Sequence, residues 1–176
     1  STSSAASDVY KRQVLKYNDK FAQFAYDNNF DLPQPPPAPT VSVFEGDGYI
    51  TLNWAETAAY ENSENYNQAG FKFEGYKVYQ LPNATASAAD GAVVAIYDVP
   101  NGVKVISEPA LDGATGLFFD KPAHVGGDFG VSRMVVVKND ALKNRPISND
   151  RPYYFGVVAY AYLEDNAGAP FKSLES

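Results

Sequence analysis

Three aromatic-rich runs of alternating polarity constrain the fold more than any other feature of the chain. They are Ile50-Thr51-Leu52-Asn53-Trp54, Phe73-Glu74-Gly75-Tyr76-Lys77-Val78-Tyr79 and Tyr153-Tyr154-Phe155-Gly156-Val157-Val158-Ala159-Tyr160. A period of two sets Ile50, Leu52 and Trp54 on one side of a strand and Thr51 and Asn53 on the other. The same spacing turns Tyr76 and Val78 inward in the second run, and Tyr153, Phe155, Val157 and Ala159 inward in the third. A strand with one apolar face must bury it against another layer. The chain is therefore expected to be all-β, with antiparallel sheets closing on an aromatic core.

Composition narrows the function. The 176 residues include 13 Tyr and 11 Phe but one Met, one His and no Cys, at a net charge of −7. Phosphate backbones and anionic membranes are bound by clustered Lys and Arg, so this balance argues against nucleic acid. Without cysteine there is no disulfide, no thiolate nucleophile and no cysteine-ligated zinc. No apolar run approaches the ~20 residues of a membrane helix, so no membrane insertion is expected.

Ser3 to Gln13 resembles, residue for residue, the in-frame translation of a sequencing adapter. Residues 1–13 are accordingly expected to be an artefact with no share in the core. Residues 14–31 read as a short amphipathic helix from Val14 to Asn28, with Tyr17, Phe21, Phe24 and Ala25 on one side. Such a helix is too short to stand alone, and is expected to pack on a neighbouring domain. Residues 32–38 form a proline-rich linker; Leu32 to Pro39 holds five prolines in eight residues, which favours an extended spacer over a PxxP ligand.

Residues 39–176 form the main domain. Strands are expected at Thr40–Phe44, Tyr49–Trp54, Phe73–Gln80, Val93–Tyr97, Met134–Val137 and Pro152–Tyr162. A polar insertion, Ala55 to Gly70, separates the second from the third. Residues 98–131 read as a second insertion with short strands at Val103–Ile106 and Thr115–Phe119.

Trp54, the Gly75-Tyr76-x-Val78-Tyr79 run and the Tyr153-x-Phe155-x-Val157-x-Ala159 run together resemble the fibronectin type III pattern. The resemblance implies an immunoglobulin-like, two-sheet antiparallel sandwich with long insertions, and makes Tyr153 the corner tyrosine that returns its hydroxyl to upstream backbone. With Ser173-Leu174-Glu175-Ser176, the strings are similar to modules of large secreted or surface proteins from Bacteroidetes-like bacteria. In that scheme the last strand, G, is expected to be truncated, leaving one edge of strand F open.

Chemical signals are sparse. His124 lies in Lys121-Pro122-Ala123-His124-Val125-Gly126-Gly127-Asp128 and reads as a loop histidine, since no HExxH or GxSxG pattern accompanies it. Gly126 to Gly130 lacks the Lys-Ser/Thr of a phosphate loop and reads as a turn. Glu56, Glu61 and Glu64, with Asn62 and Asn65, are the weak calcium candidates, because calcium takes several hard oxygens on a flexible loop. Tyr60, Tyr66, Tyr79 and Tyr162 are candidates for stacking on a sugar, with ordinary cross-strand packing as the alternative. No catalytic residues and no other cofactor are expected. The function expected is a non-catalytic structural or spacer module, extracellular or at the cell surface, contacting neighbouring domains of its own polypeptide. The alternatives are a carbohydrate- or protein-binding module and an accessory domain of an extracellular enzyme.

Overall fold

A computed structural model describes residues 2–166 and 168–176, so Ser1 and Ala167 lie outside the described residues. In chain order the elements are α1 (Thr2–Asp27), β1 (Ser42–Gly46), β2 (Tyr49–Asn53), α2 (Ala59–Glu64), β3 (Asn67–Gln68), β4 (Phe71–Leu81) and β5 (Ala92–Asp98). They continue with β6 (Val105–Leu111), β7 (Phe118–Val125), β8 (Met134–Val137), β9 (Asn139–Asp140), β10 (Arg145–Pro146), β11 (Tyr154–Leu163) and β12 (Ser173–Glu175). The strands assort into a three-stranded sheet, β1-β2-β8, and a larger one, β12-β11-β4-β3 with β5 also on β4. The chain is thus predominantly β, as its alternating runs require.

The two sheets share one core. Leu52, Trp54 and Val137 come from the smaller sheet and its end, and Tyr76, Val78, Val157 and Ala159 from the larger. Trp54 is fully buried, with its ring 5.5 Å from Tyr76 in an edge-to-face arrangement and 6.3 Å from Tyr97. At the corner before β11, the Ser148 N–H donates to the Tyr153 hydroxyl oxygen at 3.0 Å.

A second, smaller cluster joins Tyr66, Phe71, Ala161 and Leu163 at one end, and α1 covers it. Phe24 meets Phe71 at 6.4 Å and Phe171 at 5.1 Å, both edge-on, while Tyr17 stacks on Phe118 at 5.3 Å. The helix is longer than expected, beginning at Thr2 rather than Val14. Its 26 residues contain neither Gly nor Pro, and once a helix is nucleated each added residue costs little. The adapter-like stretch is therefore helical, and the Phe118 N–H donates to Gln13 Oε1 at 3.1 Å. Deleting residues 1–12 is expected to leave the urea midpoint unchanged, whereas Phe24→Ala should cost about 2 kcal/mol through lost burial and ring contacts. Equal losses from both changes would mean that the upstream turns share in the packing.

Three further segments take their form from contacts distant in the chain. The proline-rich run is not a free spacer: Pro36 is fully buried, and the Tyr66 and Ser63 hydroxyls donate to the Gln34 and Pro37 carbonyls. The polar insertion folds into α2 and β3, because Ser63 and Tyr66 must face that run. At the other end, β12 pairs antiparallel with β11 over Tyr160–Tyr162. It is short, and Glu108 secures it by accepting from the Lys172 and Ser173 N–H groups and the Ser173 hydroxyl.

Candidate functional site

The insertion at 98–131 forms a hairpin, β6 with β7, whose side chains close over the outer face of the larger sheet. Its prolines, Pro109 and Pro122, are tolerated because each strand of a two-stranded ribbon has a free edge. The outer face directs Gly75, Lys77 and Tyr79 from β4 and Tyr160 from β11 toward the hairpin. A side chain at position 75 would place its Cβ 2.1 Å from the Tyr97 carbonyl oxygen, so only glycine fits there. His124 is not in a loop. It sits on β7, is 4% exposed, and stacks on Tyr160 with centroids 4.2 Å apart and planes 3° from parallel.

Around this stack the polar groups converge on Glu175 of β12. The Tyr79 hydroxyl donates to Glu175 Oε1 at 2.6 Å, and Lys77 Nζ and His124 Nε2 lie 3.9 and 4.0 Å from Oε2. Lys77 Nζ also donates to the Ala123 carbonyl at 2.8 Å, tying sheet to hairpin. Burial, followed by the Lys77 charge, pushes His124 down to about 3, so it stays neutral at ordinary pH. Burial also lowers Lys77, with Glu175 opposing, and raises Tyr79 and Tyr160. His124 Nδ1 has no hydrogen-bond partner among the described residues. The arrangement clamps the hairpin and the last strand onto the sheet.

A second polar pocket adjoins it. The β4–β11 ladder slips by one residue where Tyr160 faces Gly75 and Ala161 faces Phe73, leaving Glu74 as the extra residue of a bulge. Glu74 is 3% exposed. Its Oε2 accepts from Asn101 Nδ2 at 2.8 Å, and its Oε1 is unpartnered among the described residues. Burial raises its carboxyl to about 7, with Asn101 opposing and Asp98, Asp128 and Glu164 adding to the rise. The Gly126–Gly130 turn wraps Asp98, whose Oδ1 accepts from the Asp128 N–H at 2.8 Å. A Cβ on Gly126 would fall 1.8 Å from Asp98 Oδ2, so a larger residue there would displace the Asp98 carboxylate. Among the described residues no group of three acidic or histidine side chains is placed to hold a metal.

The calcium candidates are not brought together. Glu56 and Glu61 are exposed. Glu64 is taken by Arg133, whose Nε and Nη2 donate to Oε1 and Oε2 at 2.7 Å each, and by the Tyr76 hydroxyl at 3.0 Å. The Arg133 guanidinium also lies over the Tyr60 ring at 4.4 Å. Glu64→Ala is expected to cost roughly 1–3 kcal/mol by stranding Arg133 and Tyr76. Millimolar calcium should leave the wild-type melting temperature where a chelator leaves it; a rise would restore the three carboxylates as a site. The proposed sugar platform is also dispersed, since Tyr66 and Tyr79 are buried and the Tyr162 hydroxyl accepts from Asn166 Nδ2.

A cleft of about 780 Å³ lies between β1 and β11, lined among others by Leu52, Ile147, Phe155 and Val157. Beside it, among the described residues, no strand pairs with the outer edge of β11 over Tyr154–Val158, because β12 covers only Tyr160–Tyr162. What sequence alone did not reveal is the depth of the cleft. The available signal was Val41 and Val43, apolar at alternate positions on a strand with too few partners to cover them. Comparison with known proteins finds no matching family model, no matching curated protein and no matching solved structure.

Proposed function

We propose that the chain is a non-catalytic structural module of the fibronectin type III kind, belonging to a multidomain exported or cell-surface protein. The observation that carries this is the strand order. Sheet β1-β2-β8 faces sheet β12-β11-β4-β5 across one core, the counterpart of strands A-B-E over G-F-C-C′ in the fold it resembles. The Tyr153 bond to Ser148 and the buried Trp54 support the same assignment. The polar side chains beneath the hairpin act as clamps, which suits a module whose work is to hold a shape. Its contacts are with neighbouring domains of the same polypeptide. A protein ligand is favoured over a sugar as any further partner, because the tyrosines that would form a sugar platform are buried or separated.

Calorimetric titration with soluble xylan, β-glucan and chitin oligosaccharides is expected to give no saturable heat. In a fusion between two fluorescent reporter domains, transfer efficiency should hold constant until the module unfolds in a single urea transition. A saturable isotherm, or a drift in transfer efficiency before that transition, would overturn the spacer role.

A further inference from the structure

Burying Glu74 has a cost that the chain offsets only in part. The side chain is 3% exposed, and Asn101 Nδ2 donates to its Oε2 at 2.8 Å, while Oε1 has no partner among the described residues. A buried carboxyl with an empty acceptor forfeits its hydration and gains nothing for it. In a native fold such an atom marks the place of a donor from outside the chain.

Glu74 also lines a cavity. A hollow of about 430 Å³ opens between the start of β4, the segment after β5 and the end of β11. Phe73, Val99, Val103 and Leu163 give it apolar walls that are half-buried or buried, whereas Glu164 and Asp165, also on its lining, are exposed. Its carboxylates thus stand at two depths, with hydrocarbon lining the same space. Lys72 is the cavity's one cation, and among the described residues it pairs with none of the three acids. The wall that carries Asn101 is held in advance, because Asp128 Oδ1 accepts from the Asn101 and Gly102 N–H groups at 2.8 and 2.9 Å. A metal ion matches this lining poorly, since no three acidic side chains converge among the described residues. An alkylammonium matches it well: the head donates three N–H bonds from one point, and the methylenes favour apolar walls.

We propose that this cavity binds a linear diamine, with one ammonium at Glu74, the other at Glu164 and Asp165, and the methylenes along the apolar walls. Two acids at two depths select two cationic ends, and the hydrocarbon between them selects an unbranched spacer over a hydrated one. Binding is coupled to a proton. In the free chain burial raises the Glu74 carboxyl to about 7, with Asn101 opposing and Asp98, Asp128 and Glu164 adding to the rise. An ammonium beside it favours the ionised form, so binding below pH 7 displaces the proton. Affinity therefore climbs by up to about tenfold per pH unit toward 7 and levels off above it. The charged and titratable neighbours are Asp98 of β5, Asp128 of the glycine turn, Tyr160 of β11, Glu164 and Asp165 after it, and Lys72 of β4. Glu74→Gln leaves all of them in place, so loss of the pH dependence in that variant assigns it to Glu74.

The test uses the whole chain and 1,5-diaminopentane, with pentylamine, pentan-1-ol and calcium chloride for comparison. Isothermal titration is expected to show one saturable site for the diamine, a weaker one for pentylamine, and none for the alcohol or calcium. At pH 6, two buffers of different ionisation heat should reveal the released proton. Glu74→Gln should weaken the diamine by about tenfold or more, as loss of a charge-assisted bond does, and should abolish proton release. The paired change Glu164→Gln with Asp165→Asn, both at exposed positions, should weaken the diamine and leave pentylamine unchanged. Lys72→Met should tighten the diamine. The proposal is overturned if the diamine fails to saturate, if pentan-1-ol or calcium binds as well, or if Glu74→Gln keeps the wild-type affinity. It is also overturned if the paired change weakens both amines alike, since no second ammonium would then be held.

Discussion

Trp54→Ala is expected to lower the free energy of unfolding by about 3–5 kcal/mol, the largest loss from any single side chain in the molecule. The ring is fully buried where β2 of the smaller sheet ends, and it packs against the larger sheet through Tyr76 of β4 and Tyr97 of β5. Its removal opens a cavity whose walls belong to different layers, so neither sheet can relax into it alone. A domain of this size has about 5–15 kcal/mol in total, so the variant will retain only part of its cooperative transition. Urea unfolding followed by circular dichroism measures the loss without relying on the chain's only tryptophan. Trp54→Phe should recover much of it. A loss under about 1 kcal/mol for the alanine variant would mean that the sheets do not depend on this ring.

The second large effect is an unusual dependence on pH. Glu74 stands at about 7 in the folded chain against 4.5 for an ordinary glutamate. Between those values the folded chain holds the proton and the unfolded chain does not, so rising pH favours unfolding. Ionising this one carboxyl costs the fold on the order of 3 kcal/mol by pH 8. His124 acts in the opposite sense. It stands at about 3 in the fold against 6.5 for an ordinary histidine. Between those values the unfolded chain takes the proton, and rising pH favours the fold. Wild-type stability should therefore climb from acid toward pH 4.5, level off while the two groups oppose each other, and decline from pH 6.5 to 7. Glu74→Gln keeps the Asn101 bond and should convert the plateau and decline into a continued climb to pH 6.5. His124→Phe keeps a ring against Tyr160 and should leave only the decline. Urea midpoints from pH 4 to 8 decide the matter, and parallel profiles for wild type and Glu74→Gln would refute the assignment to Glu74.

Sequence made the core strands legible because their residues obey a strictly local rule. Leu52, Trp54, Tyr76, Val78, Val157 and Ala159 are buried where a period of two puts them. Tyr153 likewise bonds to backbone only five residues upstream. What escaped depends on partners distant in the chain. His124 is buried because Tyr160 offers a ring to stack on, and the proline-rich run is held because Tyr66 and Ser63 reach its carbonyls. The hairpin is half legible: the runs Val103–Ile106 and Thr115–Phe119 read as short strands of an insertion, but nothing in them shows that its underside covers Lys77 of β4. The surroundings of the calcium candidates were hidden for a related reason. An acidic residue in a polar insertion looks free until the arginine that neutralises it, Arg133 in the case of Glu64, is brought alongside by the fold.

Glu74 stands where the strand tolerates a change of length. If it were deleted, Gly75 would follow directly on Phe73, and the pairings Tyr160 with Gly75 and Ala161 with Phe73 would become consecutive steps of an ordinary ladder. Phe73 would keep its side of the sheet, as would every residue beyond it. The one residue that can be gained or lost without inverting the strand is thus also the one that brings a buried charge. Such a codon can enter or leave a lineage while the sheet stays intact. Homologues should accordingly differ here by a single-residue gap, and those without the residue should lack the alkaline loss of stability while keeping the same core.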